Sequence, residues 1–244
     1  MDFFKRSFST ESLLKGELLL IDKPMRWSSF QVVNKIRWHL KNKTGLKKLK
    51  VGHAGTLDPL ATGLLLICTG KKTKTIETYQ KQEKEYVGKL FLGATTLSYD
   101  LETNRDYSYP TEHITHQHIL DMSKQFTGEI EQYPPVFSAL KKEGKRLYKY
   151  AREGLKPEIK PRHILISEFK IKKIKLPEIE FLVRCSKGTY IRSLAHDFGK
   201  ALQSGSHLIS LRRTKIGTFS VEDSYHMNSV YNENSAKNIS LKLN

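Results

Sequence analysis

Hydrophobic positions recur along this chain in two alternating rhythms, and the boundaries between them lay out the elements. Glu-Leu-Leu-Leu-Ile-Asp at 17–22 is a short apolar run closed by Lys23-Pro24, the pattern of a buried strand. Ser28 or Ser29 supplies a cap for a helix through about residue 40, with Val33, Ile36 and Leu40 along its inner face. The apolar run 63–69 reads as a second strand. Residues 84–94 alternate, with Tyr86, Gly88, Leu90 and Leu92 on one side. Residues 95–112 are polar and aperiodic, an exposed loop. A helix follows near 115–126, strands at 160–175 and 178–185, a helix over 191–203 and two strands within 206–221. Strands and helices intermix without regular β-α-β alternation. That predicts an α+β fold with a mixed, largely antiparallel sheet and flanking helices, not a doubly wound one. Residues 1–15 read as a loosely held lead-in, 16–225 as one domain, and 226–244 as a short, weakly ordered tail rich in Asn and Ser.

Charge changes the picture more than length does. The 244 residues carry 42 Lys and Arg against 25 Asp and Glu, a net charge of +17. An excess of that size points to a polyanionic partner, drawn in by long-range steering and counterion release. Cys68 and Cys185 are too few and too far apart for a zinc site or a disulfide framework, which suits a reducing cytosol. The first ten residues lack the apolar run of a signal peptide, and the most apolar later run, 64–68, is too short to span a bilayer. A cytoplasmic protein without membrane association is expected. The nine histidines show no metal-ligand spacing, and neither a phosphate loop nor a dinucleotide fingerprint occurs. An enzyme built on this chain would work without metal, nucleotide or redox cofactor.

The cations are also unevenly spread. No Asp or Glu occurs between Asp22 and Asp58, while Lys35, Arg37, Lys41, Lys43, Lys47, Lys48 and Lys50 accumulate. Directly after them comes Gly-His-Ala-Gly-Thr-Leu-Asp-Pro-Leu-Ala-Thr-Gly at 52–63. Asp before Pro is an ordinary turn initiator. Here, however, Gly52 and Gly55 allow close backbone approach to a ligand, and His53, Thr56 and Thr62 add hydrogen-bonding groups. A lone carboxylate behind a field that attracts phosphate suits chemistry on a held polyanion better than it suits binding. In Cys-Ser-Lys-Gly-Thr-Tyr-Ile-Arg at 185–192 a strand ends, a Gly turn follows and a helix begins near Tyr190. Tyr190 and Arg192 then sit at a helix N-terminus, which favours anions. An Arg192 facing Asp58 would keep the carboxylate ionised and fix its rotamer; a phosphate-binding turn with no catalytic part is the equal alternative. Through 134–152, Lys141, Lys142, Lys145, Arg146, Tyr148, Lys149, Tyr150 and Arg152 interleave cations with aromatics, suiting backbone contacts plus base stacking. A solvated amphipathic helix is the competing reading, and Tyr148 and Tyr150 cannot share one helical face.

Together these blocks resemble the bacterial tRNA pseudouridine synthase B family over about 16–225. The resemblance runs through Leu20-Ile21-Asp22-Lys23-Pro24, 52–63, Lys84-Glu85-Tyr86 leading to Leu92-Gly93, 134–152, 185–192, and His207 through Leu211-Arg212-Arg213. It implies the pseudouridine synthase catalytic fold. It also implies isomerisation of uridine 55 in the tRNA T loop, with the N1–C1′ bond cleaved and C5 joined to C1′. By position it implies Asp58 as the catalytic aspartate, Arg192 as its arginine partner and Tyr86 as the tyrosine against the target base. Tyr190 falls on a substrate-contacting tyrosine, His53 on a T-loop contact near the everted nucleotide and Leu211 on a pocket wall; Asp100 matches an acidic position. Backbone phosphate contacts are expected from Lys35, Lys47, Lys48, Lys50, Lys141, Lys145 and Arg146.

Two departures stand out. Arg26 and Trp27 occupy a turn where the family usually has Gly two residues after Lys-Pro. Only about twenty residues follow the last matching strand, too few for the small C-terminal RNA-binding domain that common members append. The expected partner is the T arm of tRNA, bound by a monomer with no obligate protein partner. The competing functions are a non-catalytic tRNA-binding or folding protein, a synthase acting on another RNA, and a nucleoside hydrolase.

Overall fold

The structure is a computed structural model that describes residues 2–138, 140–155 and 157–227. Along the chain the first elements are α1 (Thr10–Lys15), β1 (Leu18–Lys23), α2 (Ser29–Thr44), β2 (Val51–His53), β3 (Ala61–Thr69) and α3 (Ile76–Lys81). Next come β4 (Lys84–Leu92), β5 (Ala94–Thr96), β6 (Arg105–Ser108), α4 (His116–Gln125), β7 (Gly128–Gln132), β8 (Lys141–Lys142), β9 (Lys145–Arg146) and α5 (Leu147–Arg152). Then follow β10 (Arg162–Lys175), β11 (Glu178–Cys185), α6 (Ile191–Ala201), β12 (Ser206–Ile216), β13 (Phe219–Ser220) and β14 (Tyr225–His226). This is the α+β class expected from the sequence. The stretch read as one domain, 16–225, divides into two compact units: one from the described residues up to Gln80 and from Thr218 onward, the other from Lys81 to Gly217.

In the first unit β1 runs antiparallel to β3, with Leu19 opposite Ile67 and Ile21 opposite Leu65, while β14 joins β1 in parallel. These four side chains are buried with Val32, Val33, Ile36 and Leu40 of α2 in one cluster, so the helix covers the apolar face of the strands. α2 starts where the sequence placed it. Ser28 Oγ accepts from Gln31 N at 3.2 Å and Ser28 N donates to Gln31 Oε1 at 2.7 Å, a capping box that satisfies two otherwise orphaned groups. The lead-in reading of 1–15 is corrected here. Phe3 and Leu13 are fully buried in the same cluster, and Ser9 caps α1. Burying two such side chains is worth about 1.5–3 kcal/mol each, enough to hold a segment that shows no sequence periodicity.

In the second unit β4 lies between β12 and β11, and β10 and β7 extend the sheet beyond β11, every pairing antiparallel. Tyr86, Gly88, Leu90 and Leu92 share the buried face of β4, as the alternation requires. Gly88 stands between Phe181 and Leu211; a Cβ there would lie 2.7 Å from the Phe181 ring and 2.8 Å from the Ser210 carbonyl, so no other residue fits. α6 contributes buried Leu194 and Phe198, whose ring meets Phe169 edge-on at 5.3 Å. Two expectations change. Residues 95–112 are not a plain loop: β5 and β6 pair there, and Thr95, Thr96, Ser98 and Asp100 are buried. The 141–152 segment is not one helix but a β8–β9 hairpin followed by α5, because Glu143 and Gly144 both take positive φ and turn the chain.

Candidate active site

Asp58 stands in a turn of the first unit that buried groups hold from several sides. β2 ends at His53, which is half-buried opposite Ile67, and Ala54 N then donates to Leu66 O at 2.9 Å. Ser29, buried at the start of α2, binds the backbone of Leu57 twice: its Oγ accepts from Leu57 N at 2.8 Å and donates to Leu57 O at 3.1 Å. The Asp58 carbonyl accepts from Ala61 N at 3.1 Å, and the Pro59 carbonyl from Arg26 N at 2.7 Å. Below them lies Lys23, fully buried at the end of β1. Its ammonium donates to Trp27 O at 2.6 Å, Pro24 O at 2.9 Å and Pro59 O at 3.3 Å. One cation therefore clasps the loop 24–27 to the turn that carries Asp58. Arg26 takes φ +65°, the left-handed conformation for which glycine is suited. The departure noted in the sequence thus keeps the backbone shape of a glycine turn, at a cost of about 1–2 kcal/mol.

Tyr86, Leu211, Arg192 and Tyr190 belong to the second unit. Tyr86 faces Arg213 across the β4–β12 pair and Leu211 faces Gly88, so the two candidates share one face and are each 8% exposed. The Arg213 guanidinium, itself buried, lies 6.0 Å over the Tyr86 ring. Arg192, in the first turn of α6, is buried. Its Nη1 donates to Ser98 O at 3.1 Å and Phe137 O at 3.0 Å, and its Nε lies 3.6 Å from Asp100 Oδ2. Asp100 is held in turn by the Ser98 hydroxyl at 2.6 Å and Glu102 N at 2.9 Å. The acidic position to which the sequence gave no role is therefore a carboxylate partner of Arg192. Between Ser98 and Asp100 the chain strains, with Tyr99 at φ +64° and its ring stacked on His196 at 4.0 Å.

Tyr190 is the N-cap of α6, and its backbone is bound on both sides by one side chain. Tyr190 N donates to Gln132 Oε1 at 2.8 Å, and Gln132 Nε2 donates to Tyr190 O at 3.1 Å. Gln132 and Lys23 are positioning residues that sequence reasoning missed. A Lys-Pro step after a strand was a visible signal for the second; nothing marked the first. Further along α6, burial pushes the Asp197 carboxyl up to about 6 and lowers the His196 imidazole.

The expected phosphate contacts divide. Lys47, Lys48, Lys50 and Arg146 project into solvent, and Lys35 is half-buried with its ammonium 5.0 Å over the Trp38 ring. Lys145 is engaged at home, ion-paired with Glu153 and 4.7 Å over the Tyr150 ring. The Lys141 side chain lies outside the described residues, as does most of the segment read as a tail. Among the described residues no three His, Cys, Asp or Glu side chains are grouped to hold a metal ion, and no helix is long and apolar enough to cross a membrane.

Comparison with known proteins gives these residues a context. The family model described as the TruB family pseudouridylate synthase N-terminal domain matches residues 41–191. A second, described as the tRNA pseudouridylate synthase B C-terminal domain, matches 192–241 and so runs on through the segment read as a tail. The tRNA pseudouridine synthase B of Flavobacterium johnsoniae is 63% identical over 214 residues, which is 87% of this chain and 93% of that protein. Its counterpart in Chlorobaculum tepidum is 44% identical over 90% of this chain and 91% of that protein. Among solved structures, a chain of a Cbf5-Nop10-Gar1 complex superposes with a TM-score of 0.66 at 30% identity, covering 88% of this chain and 53% of that one. A chain of an H/ACA RNP bound to a substrate RNA containing 2′-deoxyuridine follows with a TM-score of 0.63 at 27% identity, covering 88% of this chain and 52% of that one. The chain thus spans about half the length of those solved chains and about nine-tenths of the bacterial relatives.

Proposed function

The chain belongs to the TruB family of pseudouridylate synthases, and on that footing we propose that it converts uridine 55 of the tRNA T loop to pseudouridine with Asp58 as the catalytic carboxylate. The observation that carries this reading is the construction of the Asp58 turn. A fully buried lysine and a buried serine are both spent on backbone groups next to one carboxylate. An Asp-Pro reversal needs neither; a carboxylate that must meet one atom of a bound nucleotide needs its backbone fixed.

In this reading Asp58 acts at the sugar or base of the everted nucleotide while the N1–C1′ bond breaks. The detached uracil turns, C5 bonds to C1′, the C5 hydrogen leaves as a proton, and N1 takes one up. Atoms balance within the substrate, so no co-substrate is consumed. Tyr86 and Leu211, nearly buried on one sheet face, serve as an apolar wall that keeps water from the freed base. Arg192, anchored by Asp100, is the cation that orients the carboxylate, and Tyr190 and His53 contact the nucleotide. Eversion costs a few kcal/mol of unstacking, offset by contacts from the cationic segment 35–50. The reading includes a cofactor-free, monomeric enzyme of the cytoplasm. The extent of the matches favours tRNA over another RNA as substrate, since the chain spans most of the relatives named for tRNA and about half of the H/ACA chains.

Tritium release from tRNA carrying [5-³H]uridine, run with wild type and Asp58→Asn side by side, tests the proposal. Release by wild type alone is the expected result. Release by both removes Asp58 from the chemistry. Release by neither, with tRNA still bound, favours a non-catalytic tRNA-binding protein.

A further inference from the structure

α2 buries one side and carries an aromatic line along the other. Val32, Val33, Ile36 and Leu40 are buried against the strands, while Phe30 and Trp38 are 65% and 58% exposed. Apolar residues scattered singly over a surface need no explanation. These two are aligned instead. Phe30, Asn34 and Trp38 follow one another at the i, i+4 spacing of a helix side, with about 12 Å of helix between the two aromatics. Among the described residues neither ring is packed against another aromatic ring.

Two features bear on what the line would take. The first is charge. α2 holds Lys35, Arg37, Lys41 and Lys43 and no Asp or Glu, and the next acids along the chain on either side are Asp22 and Asp58. Exposed rings in a wholly cationic setting repel a basic partner and suit a polyanion that has π faces of its own. The side chains are also restrained. Lys35 Nζ lies 5.0 Å over the Trp38 ring, a cation–π contact that leaves the residue more than half exposed. Arg37 donates through Nη1 to Asn34 Oδ1 at 2.9 Å and through Nη2 to Val51 O at 2.9 Å, which leaves the Asn34 amide NH2 as a donor midway along the line. The second feature is position. Ser29, the residue before Phe30, is the one that holds the Leu57 backbone beside Asp58, so the line starts at the candidate catalytic turn and runs away from it along α2.

We propose that this side of α2 is a stacking platform for unpaired bases of the RNA substrate, with Phe30 and Trp38 each taking a base face and Asn34 donating to a base edge between them. The inference rests on the reading of the chain as an RNA-modifying enzyme. It differs from the phosphate contacts expected of the cationic segment in what it recognises: a π face, which a paired stem keeps within its own stack and an unpaired nucleotide offers.

Tryptophan fluorescence and affinity test it together. The chain has two Trp, and Trp27→Phe leaves Trp38 as the reporter. A tRNA transcript and a short oligouridylate should quench its emission, and a blunt RNA duplex should not. Affinity for the transcript is then followed from about 50 to 200 mM KCl in wild type, Phe30→Leu/Trp38→Leu and Phe30→Tyr/Trp38→Tyr. Both positions are exposed and on a helix that Leu favours, so the Leu pair folds. Leu keeps an apolar side chain and removes the π face, whereas Tyr keeps both. Loss of one base–aromatic stack lowers affinity by roughly 5–150-fold. The Leu pair should therefore bind at least about 10-fold more weakly with the salt slope unchanged, and the Tyr pair within about 3-fold of wild type. Leu and Tyr pairs of equal affinity overturn the proposal. If both match wild type, the line serves a protein or a second copy of this chain; if both fall alike, its shape and not its π faces matters. A duplex that quenches as strongly as the single strand overturns it too, as does a transcript that fails to quench. Because these readouts are binding, a weakened Leu pair in a protein whose wild type releases no tritium keeps the platform and sinks the isomerase reading. Tritium release with equal affinities does the reverse.

Discussion

Replacing Lys23 with Met isolates what the buried ammonium contributes to the Asp58 turn. Met keeps the unbranched stem of Lys23 and deletes the charge. Three carbonyls lose a donor, two of them at 2.6 and 2.9 Å and the third at 3.3 Å. Hydrogen bonds to a charged group contribute about 1.5–3 kcal/mol each, so the two close ones amount to about 3–6 kcal/mol gross. Against this, the variant no longer buries an ammonium, and that desolvation cost is several kcal/mol. The carbonyls of Trp27 and Pro24 remain in place with nothing to replace their donor, and each such orphan costs about 1–3 kcal/mol, whereas Pro59 O keeps the Arg26 N–H at 2.7 Å. The expected net is a loss of about 2–3 kcal/mol in urea unfolding. The functional effect should exceed the stability effect. With loop 24–27 released from Pro59, the Asp58 backbone gains freedom, and misplacement by an ångström costs on the order of a hundredfold in rate. Single-turnover tritium release at a temperature where both proteins are folded reads that loss. A Lys23→Met protein within about 0.5 kcal/mol of wild type and with full turnover would refute the clasp, since surface-like substitutions fall in that range.

Asp100→Asn keeps the shape of the side chain and its contacts with Ser98 and Glu102 while removing the charge opposite Arg192. Turnover on saturating tRNA should fall by about 10–100-fold with affinity little changed, the range for a group that orients a functional partner; an unchanged single-turnover rate would count against it. Asp197→Asn addresses pH. The folded carboxyl titrates at about 6 against 3.8 for the ordinary group, because burial opposes its charge. Folding therefore gains from its proton below about pH 4 and loses that gain as pH rises through about 6. After allowance for solvent screening the difference is on the order of 1–3 kcal/mol. The Asn variant should flatten the fall in melting temperature between about pH 4 and 6 and be the more stable protein at pH 8; parallel melting curves across that range would show the assignment wrong.

The parts of this molecule that could be read in advance are those whose side chains advertise burial or chemistry by themselves. Tyr86, Gly88, Leu90 and Leu92 announce β4 because one face of that strand is wholly buried, and Ser28 with Gln31 announces α2. Asp58 stands out as a candidate in the sequence because it is a lone carboxylate among glycines after a cationic run. What stayed hidden depends on partners distant in sequence. Thr95, Ser98 and Asp100 look solvent-facing, yet they are buried because Thr95 donates to Asp106 at 2.6 Å and Ser98 to Asp100 at 2.6 Å. Hydropathy counts such groups as polar and cannot see that they satisfy one another. Phe3 and Leu13 sit in segments too short to show a period. The Arg192–Asp100 pair and the Gln132 clamp on Tyr190 follow from sheet and helix placement alone.

Residues 81–217 lie as a closed insert within the chain of the first unit, and that dictates an order of assembly on the ribosome. β1 emerges early but cannot gain β14 until the whole insert has been translated. The insert can finish by itself: Lys84 pairs with Ile216, and Gly217 N donates to Glu83 O at 2.8 Å, bringing its two ends together. Once it has folded, the tether between β1 and β14 shortens to the few dozen residues outside it, lowering the entropy of closure by about 1 kcal/mol. During synthesis the β1–β14 pairing accordingly forms last in the first unit, although β1 is among the first elements to leave the exit tunnel. Until β14 arrives, the edge of β1 stands open to other nascent chains.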